Sequence, residues 1–207
     1  MKIFLLMSFA LTQTCVIGCR NGITESGIDG KNELGYVKSV DGHWSIATYD
    51  LSSNSRRIIP RLETKNDDEY PQWSPNGNYL LYSRGGSFTG PDIIVYEVKN
   101  NSEKNLTFEG GGASQQPQWL PNGKVCFSYP FAWAPFHGTF IMNPDGSQKK
   151  KILDSVTTQS LKKIYFYPDS YTFVYILNWS QVYKSTIDQN RNEYIGDLTQ
   201  ILAQPIV

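Results

Sequence analysis

Pro71-Gln72-Trp73-Ser74-Pro75-Asn76-Gly77 recurs 46 residues later as Pro117-Gln118-Trp119-Leu120-Pro121-Asn122-Gly123. A worn third copy, Phe166-Tyr167-Pro168-Asp169-Ser170, follows Trp119 by 47 residues. Ser-Pro-Asn-Gly fits a type I turn, with proline setting φ at the second position and glycine at the fourth. Apolar runs flank it, so the motif predicts a tight hairpin. The tryptophan before the turn is large enough to fill the space between neighbouring sheets.

Working outward, each copy leads into the same series of short strands. Tyr79 to Ser83, Val125 to Ser128 and Thr172 to Tyr175 come first. Asp92 to Val98, Thr139 to Asn143 and Gln181 to Ile187 follow. Lys104 to Thr107, Lys151 to Leu153 and Gly196 to Thr199 close the units. Four short strands on a period near 46 match a blade of a β-propeller. The predicted fold is therefore all-β, a propeller of four-stranded blades.

At these residues the chain resembles the TolB-like, WD-repeat-like propeller family. Its repeat reads Pro-x-Trp-Ser-Pro-Asp-Gly, an apolar strand, Asp-Ile-Tyr, then Leu-Thr. Asp92-Ile93-Ile94-Val95-Tyr96 and Leu106-Thr107 fit that pattern. The resemblance covers about residues 36 to 200. Asn76, Asn122, Leu120 and the third copy's missing glycine depart from it, at positions that are structural in the family.

The ends bear on blade number. Gly35 to Ser39, Trp44 to Leu51 and Arg56 to Ile59 read as second, third and fourth strands, so the first unit lacks its innermost one. Ala203 to Val207 stands where such a strand would begin. Three assemblies follow: four blades closed by that C-terminal strand, a truncated larger propeller (six to eight blades being commoner in the family), or a homodimer whose two chains complete one ring.

Residues 1–18 read as a lipoprotein signal peptide. Lys2 is its charged region, and Ile3 to Leu11 is an apolar stretch too short to span a bilayer. Val16-Ile17-Gly18-Cys19 resembles the lipobox of bacterial lipoproteins, which implies a lipid on Cys19. Residues 19–33 are polar and glycine-rich and read as a lipidated tether; residues 34–207 form the propeller domain. The resemblance implies the periplasmic side of the cell envelope, and Arg20 after the lipid cysteine favours the outer membrane over the inner. Of three cysteines only Cys126 remains in the mature domain, as a small buried apolar residue without a disulfide partner.

Nineteen basic side chains balance nineteen acidic ones, so no basic surplus points to nucleic acid. No Gly-x-Ser-x-Gly elbow occurs, and no helix follows the glycine clusters to cradle phosphate. Two histidines, His43 and His137, fall short of the three protein ligands usual at a catalytic metal. No catalytic residue, metal or cofactor is expected. The acidic run Asp67-Asp68-Glu69 reads as a solvated loop.

One constellation stands out. Loops joining second to third strands lie on one face of a propeller. Those loops carry His43-Trp44, Phe88, then Phe131, Trp133, Phe136 and His137, and finally Trp179. Rings there either cap the core or form a binding face. As a binding face they comprise Trp44, Phe88, Trp133, Phe136, His137 and Trp179, and the partner expected is an envelope protein or glycan. The functional expectation is a non-catalytic, lipid-anchored binding module. The alternatives are the regulatory remnant of a hydrolase or sugar-active enzyme, or a truncated relic.

Overall fold

The fold is given by a computed structural model, which describes residues 33–61, 66–85, 91–107, 115–129, 137–154 and 161–203. β1 (Glu33–Val40), β2 (His43–Asp50) and β3 (Ser55–Ile58) form a three-stranded sheet. The second sheet is β4 (Asp68–Trp73), β5 (Tyr79–Arg84), β6 (Asp92–Glu97) and β7 (Ser102–Asn105). The third is β8 (Gln115–Trp119), β9 (Val125–Tyr129), β10 (Gly138–Met142) and β11 (Lys150–Leu153). The fourth is β12 (Leu161–Phe166), β13 (Thr172–Leu177), β14 (Gln181–Thr186) and β15 (Gln189–Asp197), followed by a short helix α1 (Leu198–Leu202). Every pairing is antiparallel between sequence neighbours. Four up-and-down sheets in chain order are the blades the repeat predicted.

The middle strands of the second and third sheets lie between neighbouring sheets, so both their faces are buried. Leu80, Leu81 and Tyr82 are consecutive and fully buried. A continuous apolar run, rather than alternation, is the signature of a strand covered on both sides. The first strands of the second, third and fourth sheets are more polar, and each carries a register shift.

The repeated motif is the predicted turn. Gly77 N–H donates to the Ser74 carbonyl at 2.9 Å, and Gly123 N–H to that of Leu120 at 2.9 Å. Both glycines have positive φ, 67° and 81°. In the worn copy Ser170 takes the same place: its N–H donates to Tyr167 at 2.9 Å, with φ of 55°. Asn76, Asn122 and Asp169 accept backbone N–H bonds from two residues on, so asparagine serves the turn as aspartate does.

Apolar clusters join the sheets in order. Ile46 and Ile59 of the first pack with Trp73, Tyr82 and Ile94 of the second. Leu81 and Val95 pack with Phe127, Tyr129 and Phe140 of the third. Cys126 and Ile141 pack with Ile164, Phe173 and Tyr175 of the fourth. Among the described residues no such cluster joins the fourth sheet to the first.

The closing strand expected at 203–207 lies outside the described residues apart from Ala203, which caps α1. The last strand also differs from its predicted extent. Gly196 to Thr199 is not a strand of its own: β15 begins at Gln189, directly after a two-residue turn, and ends at Asp197, where the chain enters α1. Trp73 is buried at 7% exposure, whereas its counterpart Trp119 is only half-buried. Trp119 instead donates its indole N–H to the Gln72 carbonyl of the preceding sheet at 3.0 Å.

Candidate functional site

Among the described residues the turns from second to third strands are seen in the first and fourth sheets. In the first sheet this turn is Asp41-Gly42, with φ of 51° and 85°. In the fourth it is Asn178-Trp179, with φ of 47° and 69°, closed by Ser180 N–H donating to Leu177 at 3.1 Å. Two consecutive left-handed residues suit the twist of a hairpin, and the second is normally glycine. A tryptophan there is a steric outlier. Trp179 is also 75% exposed. Its ring is covered on one side by Lys162 Nζ, 4.8 Å from the centroid, a cation–π contact from the start of β12.

The other predicted face residues divide into two groups. Trp44 is half-buried at the start of β2, and its backbone N–H donates to Asp67 Oδ1 at 2.8 Å. His43 Nδ1 stands 3.6 Å from the same oxygen. His137 is half-buried immediately before β10. Phe88, Trp133 and Phe136 lie outside the described residues, as do the signal segment, Cys19 and the tether.

Beneath Trp44 lies a charge cluster that the sequence reading missed. Arg61 donates to the Trp44 carbonyl at 3.4 Å and to Ser45 Oγ at 3.1 Å, and its Nε lies 3.2 Å from Asp68 Oδ2. Arg84 Nε donates to Asp68 Oδ1 at 2.7 Å. The same guanidinium grips Glu103 with two bonds, 2.7 and 2.9 Å. Tyr82 OH donates to Glu103 Oε2 at 2.9 Å. Asp68 is 1% exposed, which overturns its reading as part of a solvated loop. On β5 Arg84 follows Leu80 and Tyr82 at two-residue spacing and is buried with them, and a buried cation requires carboxylates. An arginine closing an inward-facing apolar run was the available signal.

The electrostatics follow from burial. Burial raises the Asp68 carboxyl pKa, against the opposing pull of Arg84 and Arg61. Burial and neighbouring Glu103 push the Tyr82 phenol up. Arg84 stays protonated because its two carboxylate partners outweigh desolvation. Cys126 is a free buried thiol, pushed up to about 12 by desolvation, which keeps it an unreactive apolar residue. Arg84 and its two carboxylates are spent on one another, while Arg61 Nε and Nη2 are buried without a hydrogen-bond partner. Among the described residues no three His, Cys, Asp or Glu side chains converge as metal ligands.

No protein-family model matches the chain. Among curated proteins, the Tol-Pal system protein TolB of Alkalilimnicola ehrlichii is 31% identical over 84 residues, which are 40% of this chain and 18% of that protein. Among solved structures, a TolB-assigned chain from Agrobacterium tumefaciens superposes with a TM-score of 0.59 at 18% identity, over 81% of this chain and 62% of its own length. An oligogalacturonate lyase from Vibrio parahaemolyticus superposes at 0.55 with 15% identity, over 81% of this chain and 50% of its own. The chain thus spans under two thirds of each of these proteins. At such identities the structural likenesses carry the fold alone. Repeat motif, blade topology and these likenesses together make the fold a TolB-like β-propeller.

Proposed function

We propose that this chain is a non-catalytic binding module of a bacterial cell envelope, anchored through a lipid on Cys19 and engaging a protein or glycan with its turn-bearing face. One observation carries the reading: Trp179 holds a large, mostly exposed ring on left-handed backbone, where Gly42 does the same turn without strain. Strain of this kind costs of order 1–3 kcal/mol and recurs at ligand clamps. Exposed tryptophan is also the residue most enriched at binding hot spots. The name of the curated relative assigns that protein to the Tol-Pal system, which supports an envelope setting. Trp44, Phe88, Trp133, Phe136 and His137 belong to the same face on this reading.

A photo-crosslinking residue at position 179 tests the face, with Tyr194 on β15 as the control position. The expected result is a discrete envelope adduct from position 179 only. Equal labelling from both positions contradicts a binding face. Mass spectrometry of the mature N-terminus tests the anchor; an unmodified Cys19 excludes it.

A further inference from the structure

The apolar residue with which each of the first three sheets meets the next is missing from the fourth. Trp73 pairs with Leu80 and Leu80 with Tyr96; Trp119, Val125 and Met142 form the same row, as do Phe166, Phe173 and Ser185. Three residues before Tyr96, Met142 and Ser185 stand Ile93, Thr139 and Val182. Leu106 N–H donates to the Ile93 carbonyl, Leu153 pairs with Thr139, and Gly196 pairs with Val182. In the first sheet Ile59 N–H donates to the Ile46 carbonyl in the same way. Ile59, Leu106 and Leu153 each enter the apolar cluster shared with the following sheet. The fourth sheet has glycine at this position, and the φ of 146° there suits glycine.

The space of the missing side chain is filled from outside the strand. A Cβ on Gly196 would lie 3.6 Å from Ile201 Cγ1 and 3.8 Å from Ile201 Cδ1. Ile201 belongs to α1, which starts from the last rung of the fourth sheet, where Leu198 N–H donates to the Ser180 carbonyl at 2.7 Å. Val182, opposite Gly196, is 3% exposed. Little in α1 itself holds it as a helix. It has five residues, far fewer than the roughly 12–15 that an isolated helix needs. Its N-cap Asp197 makes no side-chain cap bond, its first turn has no acidic residue and its last no basic one. None of its residues is fully buried.

We propose that α1 is a self-cover of the fourth sheet: Ile201 supplies the apolar group that Gly196 lacks, and a further sheet can pack on this face only after α1 has left it. Packed sheets stand about 10 Å apart and a helix is roughly 10–12 Å thick, so the two compete for the same space. Seated, α1 blocks both a ring closed on this face and a second copy docked there. Its weakness as a helix makes the cover removable, at a cost well below that of unfolding the sheet beneath.

Thiol labelling at Val182→Cys tests the cover, in the full chain carrying Cys15→Ser and Cys19→Ser. Cys126 in the same chain is buried and reports unfolding. With Ile201 in place, labelling at position 182 is expected to be slow. Ile201→Asp is expected to speed it at least tenfold while Cys126 stays unlabelled, and Ile201→Leu to leave it within twofold. If Ile201→Asp also opens Cys126, the fold is lost and Ile201→Ala is read in its place, with labelling at least threefold faster expected. Fast labelling with Ile201 in place overturns the inference, because the face is then open. So does slow labelling that neither Ile201→Asp nor Ile201→Ala changes, because something other than α1 then covers Val182.

Discussion

The interfaces on the two sides of the second sheet use the same backbone positions for opposite chemistry. Trp73 pairs with Leu80 and Trp119 with Val125, so Tyr82 and Arg84 correspond to Phe127 and Tyr129. Facing the first sheet, Arg84 is buried over the Tyr82 ring at 5.6 Å and clamped by Asp68 and Glu103. Facing the second, Phe127 stacks on Phe140 at 5.7 Å, and Tyr129 meets both rings edge-on. A cation caps that group too, but it is the exposed Lys149, 5.0–5.5 Å from all three rings. The repeat therefore dictates the shape of each blade and the place of its large side chains, and leaves their chemistry free. The aromatic interface gains area and ring–ring attraction. The ionic one is close to neutral overall, because desolvation offsets attraction, yet it is fragile once one partner goes.

That contrast can be broken from either side. The largest effect is expected at the ionic interface. Arg84→Met removes the guanidinium that clamps buried Asp68 and Glu103 and is expected to cost about 3–5 kcal/mol in denaturant melts. Replacing Arg61, Asp68, Arg84 and Glu103 together by apolar residues of similar volume is expected to recover most of that loss. A quadruple variant no better than the single one would show that the cluster stabilises outright.

The sign of the pH response sharpens the same point. Burial already raises the Asp68 carboxyl, and loss of Arg84 raises it further. The folded variant then binds its proton more tightly than the unfolded chain does. Its deficit against wild type is expected to shrink as pH falls from 7 through the raised pKa and to grow back as pH rises. A deficit that is flat or widens on acidification contradicts a buried carboxylate that depends on Arg84.

The tryptophan pair comes next. Trp73→Ala removes a buried ring and is expected to cost about 3–5 kcal/mol. Trp119→Ala, half-buried and holding one hydrogen bond, is expected to cost about 2 kcal/mol less than that. Equal losses would mean that the two motif copies are packed alike, against their observed exposures.

Much of the fold was legible because the motif is mechanical. Trp-Ser-Pro-Asn-Gly fixes a turn, the turn fixes a hairpin, and the period of 46 fixes the blade. The worn copy was readable for the same reason, since Ser170 preserves the turn without glycine. The polar interior was not legible. Asp68 sits in an acidic run that looks solvated until register places it opposite Arg84. The extent of β15 was missed because its polar residues, Gln189 to Glu193, carry no apolar pattern. The site was half legible: the sequence put Trp179 in the correct turn, but backbone strain has no composition signal.

Trp179→Gly tests the central claim most directly, as a melt and a position-specific binding measurement on the same preparation. If the ring is held on left-handed backbone for a ligand, glycine relieves the strain. Stability then rises by about 1 kcal/mol while capture of the crosslinked envelope partner falls at least tenfold. A variant that loses stability, or that gains it and still captures the partner, contradicts the account: Trp179 would then be a packing residue or an idle one, and the binding face would lie elsewhere.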